Sequence, residues 1–176
     1  EAFNRSGMKK HDPRLHAFRP DLADARLRGE VDAAVFVDGR IMQVSEPLVP
    51  VHRAPRSDAM QLTQALMGET VRVFDVSEGW AWLQLAQDGY VGYCPAGALS
   101  GTVIAPTHRV AVPSTFLYPQ PNLKTQPAVI VTLNAGVTVV GGDEKFAQLS
   151  NDRFIFAPHL KPLGESETDF VAVAEM

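Results

Sequence analysis

The chain has 176 residues and a formal net charge of −4, and 45% of its residues are hydrophobic. This length allows one or two domains with a sizeable core, and the mild negative charge offers no bulk attraction to nucleic acid or to an anionic membrane. A single cysteine excludes a framework of internal disulfides, and no apolar run approaches the roughly 20 residues of a membrane-spanning helix.

Residues 1–46 are predicted to form an extension that packs on the domain after it. We expect a short helix at 21–28, because acidic residues stand early, arginines stand late and Gly29 suits a C-terminal cap. We expect a hairpin at 31–44, since two apolar runs flank Asp38-Gly39. Neither piece has enough apolar surface to be stable alone.

Residues 47–101 are predicted to form a first small β-barrel. Short alternating runs separated by turn residues such as Ser77-Glu78-Gly79 and Asp88-Gly89 are typical of antiparallel strands. The long loop around Pro55 has the composition of a ligand rim, and equally that of an ordinary connector.

Residues 107–163 repeat this plan in degenerate form, after a linker at 101–106. The second copy keeps the apolar pattern but lacks the Trp, Glu and Tyr residues of the first. This favours one working barrel and one spacer. The predicted fold class is therefore mostly β, with two SH3-like small β-barrels behind an N-terminal helix and hairpin extension.

Residues 164–176 are predicted to be a polar linker and the start of a helix capped by Thr168. Its apolar residues Phe170, Val173 and Ala174 share one face. A helix of about nine residues is marginal without a partner surface, so we interpret it as a truncated helix that leads into a domain absent from this chain.

Three motifs of the first predicted barrel stand in a characteristic order: Leu66-Met67-Gly68-Glu69, Glu78-Gly79-Trp80-Ala81, and the run from Asp88 to Pro95. Together they resemble the bacterial SH3 (SH3b) module that precedes the catalytic domain of NlpC/P60 cysteine peptidases. The variety resembled is the dipeptidyl-peptidase VI type, which cleaves γ-D-glutamyl–diamino-acid bonds in murein peptides.

The resemblance implies a non-catalytic region that shapes and gates the substrate cleft of an attached NlpC/P60 domain. It also implies that a carboxylate and a tyrosine hydroxyl bind the free α-amine of the N-terminal L-Ala of the murein peptide. By motif position these are Glu69 and Tyr90, although an exposed turn carboxylate and an ordinary strand aromatic are equally consistent interpretations. Trp80 and Trp82 are predicted first as core residues, with Trp80 as the candidate for the rim of the site.

We expect no catalysis by this chain itself, because the Cys/His domain of the resembled peptidases is absent from it. A cysteine nucleophile requires an activating base, whereas Cys94 precedes Pro95 in a predicted strand and is interpreted as an inert core thiol. The five histidines lack zinc-ligand spacing, and no phosphate loop is present. No metal or other cofactor is expected.

Two other functions remain open at this point. The chain could be a stand-alone SH3b module that binds cell wall or protein, or a structural spacer that orients a neighbouring domain, because small β-barrels host many functions. If Met8 is the natural start, no export signal is visible and a cytoplasmic location is expected, with the cell envelope as the alternative. The origin of residues 1–7 is open.

Overall fold

The computed structural model describes residues 10–126 and 129–164. Within these ranges the chain contains seventeen short strands and three 3-10 helices of one turn each, which confirms the mostly-β prediction. No helix in the described ranges has the length and apolarity needed to span a membrane. The helix predicted to begin at Thr168 lies outside the described residues.

The predicted helix at 21–28 is wrong. The segment forms strand β1 (Leu22–Asp24) followed by a single 3-10 turn (Ala25–Leu27). Strand β1 pairs in parallel with β2 (Val35–Val37), and Ala23 is completely buried. Tertiary packing therefore overrides a helical pattern that was too short to be stable on its own.

The predicted hairpin at 31–44 is also wrong, although a turn does form at Gly39, whose φ is +77°. Strand β2 stays with β1, whereas β3 (Arg40–Val44) joins a different sheet. The reason is that the apolar residues of the two runs are buried in different places. Val37 packs in a layer with Trp82, while Val44 lies in the main core.

Seven strands form the antiparallel sheet of the first unit. They are β3 and six further strands: β4 (Leu48–His52), β5 (Gln61–Leu66), β6 (Thr70–Ser77), β7 (Trp80–Leu85), β8 (Val91–Pro95) and β9 (Leu99–Ser100). Their order in the sheet is β5-β4-β8-β7-β6-β3-β9, and a 3-10 turn (Ala96–Ala98) connects β8 to β9.

The second unit is built from eight strands: β10 (His108–Val110), β11 (Ser114–Tyr118), β12 (Val129–Thr132), β13 (Gly136–Val137), β14 (Val139–Gly142), β15 (Phe146–Leu149), β16 (Phe154–Phe156) and β17 (Leu160–Pro162). Five of them lie in the order β12-β11-β16-β15-β14, and the other three in the order β13-β10-β17.

The order of the five strands in the second unit repeats that of β5-β4-β8-β7-β6 in the first. In both units a 3-10 turn follows the third strand of this series. Closed barrels are not confirmed, however, because the described strands form open sheets. The strands that follow the 3-10 turns, β9 and β17, have only two and three residues and make short ladders.

Each unit has its own core, and the sheet of the first unit is covered on both faces. Along β7, Ala81 and Leu83 point into the first core, while Trp82 points to the opposite face. There it is buried with Ala17 of the N-terminal extension and with Val91. The prediction that the extension packs on the first unit is therefore confirmed.

The two units meet at the turn between β5 and β6. Met67 leaves its own unit and is buried in the core of the second, and its carbonyl accepts the Gly136 N–H at 2.7 Å. A Cβ on Gly68 would lie 2.5 Å from the Gly136 carbonyl oxygen. Beside this contact the Gln43 amide exchanges two hydrogen bonds with the Ile104 backbone, at 2.8 and 3.0 Å.

Replacing Gly68 by alanine is expected to destabilise the protein more than replacing Gly79. Both glycines have positive φ, +89° and +82°, but only Gly68 faces a backbone neighbour, and Gly79 faces open space. Gly79→Ala should cost about 1–2 kcal/mol of unfolding free energy through the backbone alone, and Gly68→Ala about 1–3 kcal/mol more through the clash. Urea unfolding measures both, and equal losses would contradict the proposed close contact.

Candidate functional site

Glu69 closes the turn between β5 and β6. Its Oε2 accepts the Leu66 N–H at 2.6 Å, and its own N–H donates to the Leu66 carbonyl at 3.1 Å. The side chain is thus folded back onto its own turn and is partly buried. Its second oxygen, Oε1, accepts no hydrogen bond from the residues that the structure describes.

The pKa of Glu69 is raised above its ordinary value. Burial is the main cause, and the negative charge of Asp88 adds to it, while the hydrogen bond from Leu66 acts in the opposite direction. Asp88 is held in place by two donors, the Thr63 hydroxyl and the Tyr90 N–H, each at 2.9 Å. Two carboxylates therefore act on each other at this end of the sheet.

Tyr90 follows the turn that contains Asp88. Its backbone carbonyl accepts the Leu85 N–H at 2.9 Å, and its partly buried ring packs against the first core. In the described part of the chain, its hydroxyl has no hydrogen-bond partner and does not contact the Glu69 carboxylate through a hydrogen bond. Asp88 is thus bonded to the Tyr90 backbone, and it is the charge of Asp88, not the Tyr90 phenol, that acts on Glu69.

Asp88 is the residue that the sequence reasoning missed at this end of the sheet. Its Asp-Gly pair was interpreted only as a turn, yet Asp88 precedes the candidate tyrosine by two residues, and that spacing could have drawn attention to it. Two carboxylates that act on each other suit a cation, since an ammonium donates hydrogen bonds to such acceptors.

Trp80 stands at the start of β7, half-buried, at the edge of a different cavity of about 380 Å³. Its ring meets the ring of His52 edge-on, with centroids 6.0 Å apart. The acidic residues Asp75 and Glu78 line the same cavity. Trp80 therefore lies at a cavity rim, but that cavity is not lined by Glu69 or Tyr90.

Next to this cavity, Arg19 of the N-terminal extension is fixed to the outer face of the first sheet. Its guanidinium lies 4.4 Å from the centre of the Trp82 ring and donates to Asp75 Oδ2 at 2.9 Å and to the Tyr93 hydroxyl at 3.2 Å. Asp21 completes the set with two further hydrogen bonds. Nothing in the local sequence pattern predicts this long-range cluster.

Cys94 is buried in the first core, as predicted. Burial, together with the nearby charge of Glu46, raises the pKa of its thiol to about 12. A thiol with this pKa stays protonated at neutral pH and is a poor nucleophile. Among the described residues, no group of His, Cys, Asp and Glu side chains could hold a metal ion.

Cys94 is expected to react with a thiol reagent such as DTNB only when the protein unfolds. The burial that raises its pKa also denies the reagent access. The modification rate in the native state should therefore follow the population of open molecules, and it should rise steeply on approaching the urea midpoint. Rapid stoichiometric labelling of the native protein would contradict this prediction.

Replacing Glu69 by glutamine is expected to change how stability depends on pH. Because the folded-state pKa is raised, the folded protein binds the proton more tightly than the unfolded chain does. The wild type should therefore lose stability relative to Glu69→Gln as the pH rises from the ordinary carboxyl pKa of 4.5 through the raised folded-state value.

Urea unfolding of both proteins across this pH range measures the effect. Glu144→Gln is the matched control, because Glu144 is an exposed carboxylate of the second unit, between β14 and β15. A stability difference between Glu69→Gln and wild type that stays flat with pH, or that changes in the opposite direction, would refute the assignment.

Comparison with known families gives one match. Residues 51–99 match the family model described as the bacterial dipeptidyl-peptidase Sh3 domain. That segment begins in β4 and ends in β9, so it contains Trp80 at the start of β7, Tyr90 just before β8, and the turn of Glu69. No curated protein matches the chain in sequence.

Among solved structures, the chain is similar to an NlpC/P60 family protein from Bacillus cereus ATCC 10987, with a TM-score of 0.57 and 17% sequence identity. The match covers 70% of this chain and 56% of that one, so the chain spans little more than half of its length. NlpC2 from Trichomonas vaginalis is matched with a TM-score of 0.32 and 15% identity, over 72% of this chain and 49% of that one. Residues 51–99 thus match a bacterial SH3 domain, in a chain whose fold is similar to part of that NlpC/P60 family protein.

Proposed function

We propose that this chain is the non-catalytic SH3b region of a murein-peptide cysteine peptidase of the dipeptidyl-peptidase VI type. In this proposal an NlpC/P60 catalytic domain follows the described residues in the parent protein and supplies the nucleophile. The chain forms one wall of the substrate cleft and restricts cleavage to peptides with a free N-terminus. The partners are therefore the catalytic domain and murein peptides, with the cytoplasm as the expected site of action.

The observation that carries the proposal is the match of residues 51–99 to the bacterial dipeptidyl-peptidase Sh3 domain. The similarity in fold to an NlpC/P60 family protein, of which this chain spans 56%, supports the same parent architecture. The state of Cys94 agrees with a non-catalytic region, since its thiol is buried and its pKa is raised to about 12.

In this proposal Glu69 and Tyr90 receive the α-ammonium of the N-terminal L-Ala. Within the described ranges, Oε1 of Glu69 and the hydroxyl of Tyr90 make no hydrogen bond, and Asp88 adds negative charge beside Glu69. A charge-assisted hydrogen bond in a partly desolvated site is worth about 1.5–3 kcal/mol. An ammonium bound there would also lower the raised pKa of Glu69, because it favours the ionised carboxylate.

The proposal is tested in the full-length parent protein with two peptides, L-Ala-γ-D-Glu-L-Lys and its N-acetylated form. Glu69→Gln should raise KM for the free-amine peptide by about tenfold or more, since it removes the anionic partner of the ammonium. It should leave the acetylated peptide unaffected. Tyr90→Phe should act in the same direction with a smaller effect.

Glu144→Gln is the control in the second unit, because it removes an exposed carboxylate far from the proposed contact in sequence. Equal kinetics of wild type and Glu69→Gln on the free-amine peptide would eliminate the proposed amine site. Absence of any γ-D-glutamyl peptidase activity in the parent protein would eliminate the proposed function as a whole.

A further inference from the structure

The cavity beside Trp80 is a second site, separate from the end of the sheet that carries Glu69. We call it the tryptophan groove and define it by the walls that face each other: Pro55, Asp75, Glu78, Trp80 and Tyr93. It has a volume of about 380 Å³, a size suited to part of a peptide. Pro55 belongs to the loop between β4 and β5, and Glu78 to the turn between β6 and β7.

The groove is negatively charged. Three carboxylates line it, those of Asp21, Asp75 and Glu78, against the single guanidinium of Arg19. Asp21 and Asp75 share that guanidinium through ion pairs of 2.8 and 2.9 Å. Glu78 also lines the groove, is exposed and pairs with no cation in the described part of the chain, so no ion pair compensates its charge.

The protein itself shows how this surface holds a cation. Arg19 stacks on the Trp82 ring at 4.4 Å, donates to Asp75, and itself lines the groove. A guanidinium that combines a ring face with a carboxylate gains both cation–π and charge-assisted hydrogen bonds. Trp80 and Glu78 offer the same two chemical groups in the same cavity, and in the described part of the chain Glu78 makes no ion pair.

The second unit provides an internal comparison. Trp80 pairs with Pro95 just before a 3-10 turn, and Phe146 pairs with Phe156 just before the equivalent turn. Phe146 is buried, however, and the ammonium of Lys145 lies 5.9 Å from its ring. At the corresponding position the second unit therefore supplies its own cation and exposes no aromatic face.

We propose that the tryptophan groove binds an arginine or lysine side chain presented by an extended segment of a partner protein. The charge of Glu78 selects the cation, the Trp80 ring supports it, and Pro55 supplies an apolar wall for the aliphatic stem of the side chain. This inference does not depend on the peptidase role proposed above, because it concerns a different cavity and different residues.

The test titrates the protein, labelled with nitrogen-15, with a capped Gly-Arg-Gly peptide and with its Gly-citrulline-Gly analogue. Citrulline has nearly the shape of arginine but carries no charge. We expect saturable shifts of the Trp80 indole N–H with the arginine peptide, weakened by added salt, and much weaker binding of the citrulline peptide.

Glu78→Gln should weaken binding of the arginine peptide by about three- to tenfold. Trp80→Leu should weaken it by a similar factor, measured from the backbone amide shift of Ser77, which also lines the groove. Glu144→Gln, near the equivalent turn of the second unit, should bind as the wild type does. Equal affinity for the two peptides would overturn the proposal. Equal affinity of Glu78→Gln and Glu144→Gln for the arginine peptide would also overturn it. The spectra of both variants are first checked for the native pattern, so that misfolding is excluded as the reason.

Discussion

The turn of residues 66–69 is the constraint on which the rest of the structure depends. Its four residues send Met67 into the core of the second unit, bring Gly68 against Gly136, and return Glu69 to accept the Leu66 N–H. The same few residues thus join the two units and orient the candidate site. A substitution in this turn affects both the contact between the units and the candidate site, because the backbone of the turn has no space in which to adjust.

The second organising feature is that the first sheet is buried on both faces. A strand buried on both faces needs apolar residues at successive positions, and β7 supplies Ala81, Trp82 and Leu83 in a row, all buried. The outer face is covered by the N-terminal extension, fixed there by the contact of Arg19 with Trp82. The tryptophan groove lies where this cover ends, so one side of the sheet is both packing surface and candidate binding surface.

The two units show how a repeated strand plan can diverge in use. Their strand order is the same, and the apolar pattern of the repeat is visible in the sequence because core packing requires it. The polar and aromatic residues differ. In the first unit Trp80 remains half-exposed in a cavity that Glu78 also lines, whereas Phe146 in the second is buried. Core packing preserves the strand order of both units, and the polar and aromatic residues outside the core determine what each unit can bind.

By itself the sequence determined the mostly-β class, the duplicated strand plan, the bacterial SH3 motifs and the buried state of Cys94, because each rests on local alternation, turn chemistry or a compact motif. Only the tertiary structure decided that β2 pairs with β1 while β3 joins the main sheet of the first unit, that Met67 crosses into the second core, and that Arg19 lies on Trp82. These features depend on contacts between residues far apart in the chain, and local periodicity carries no information about which distant surface buries a given side chain.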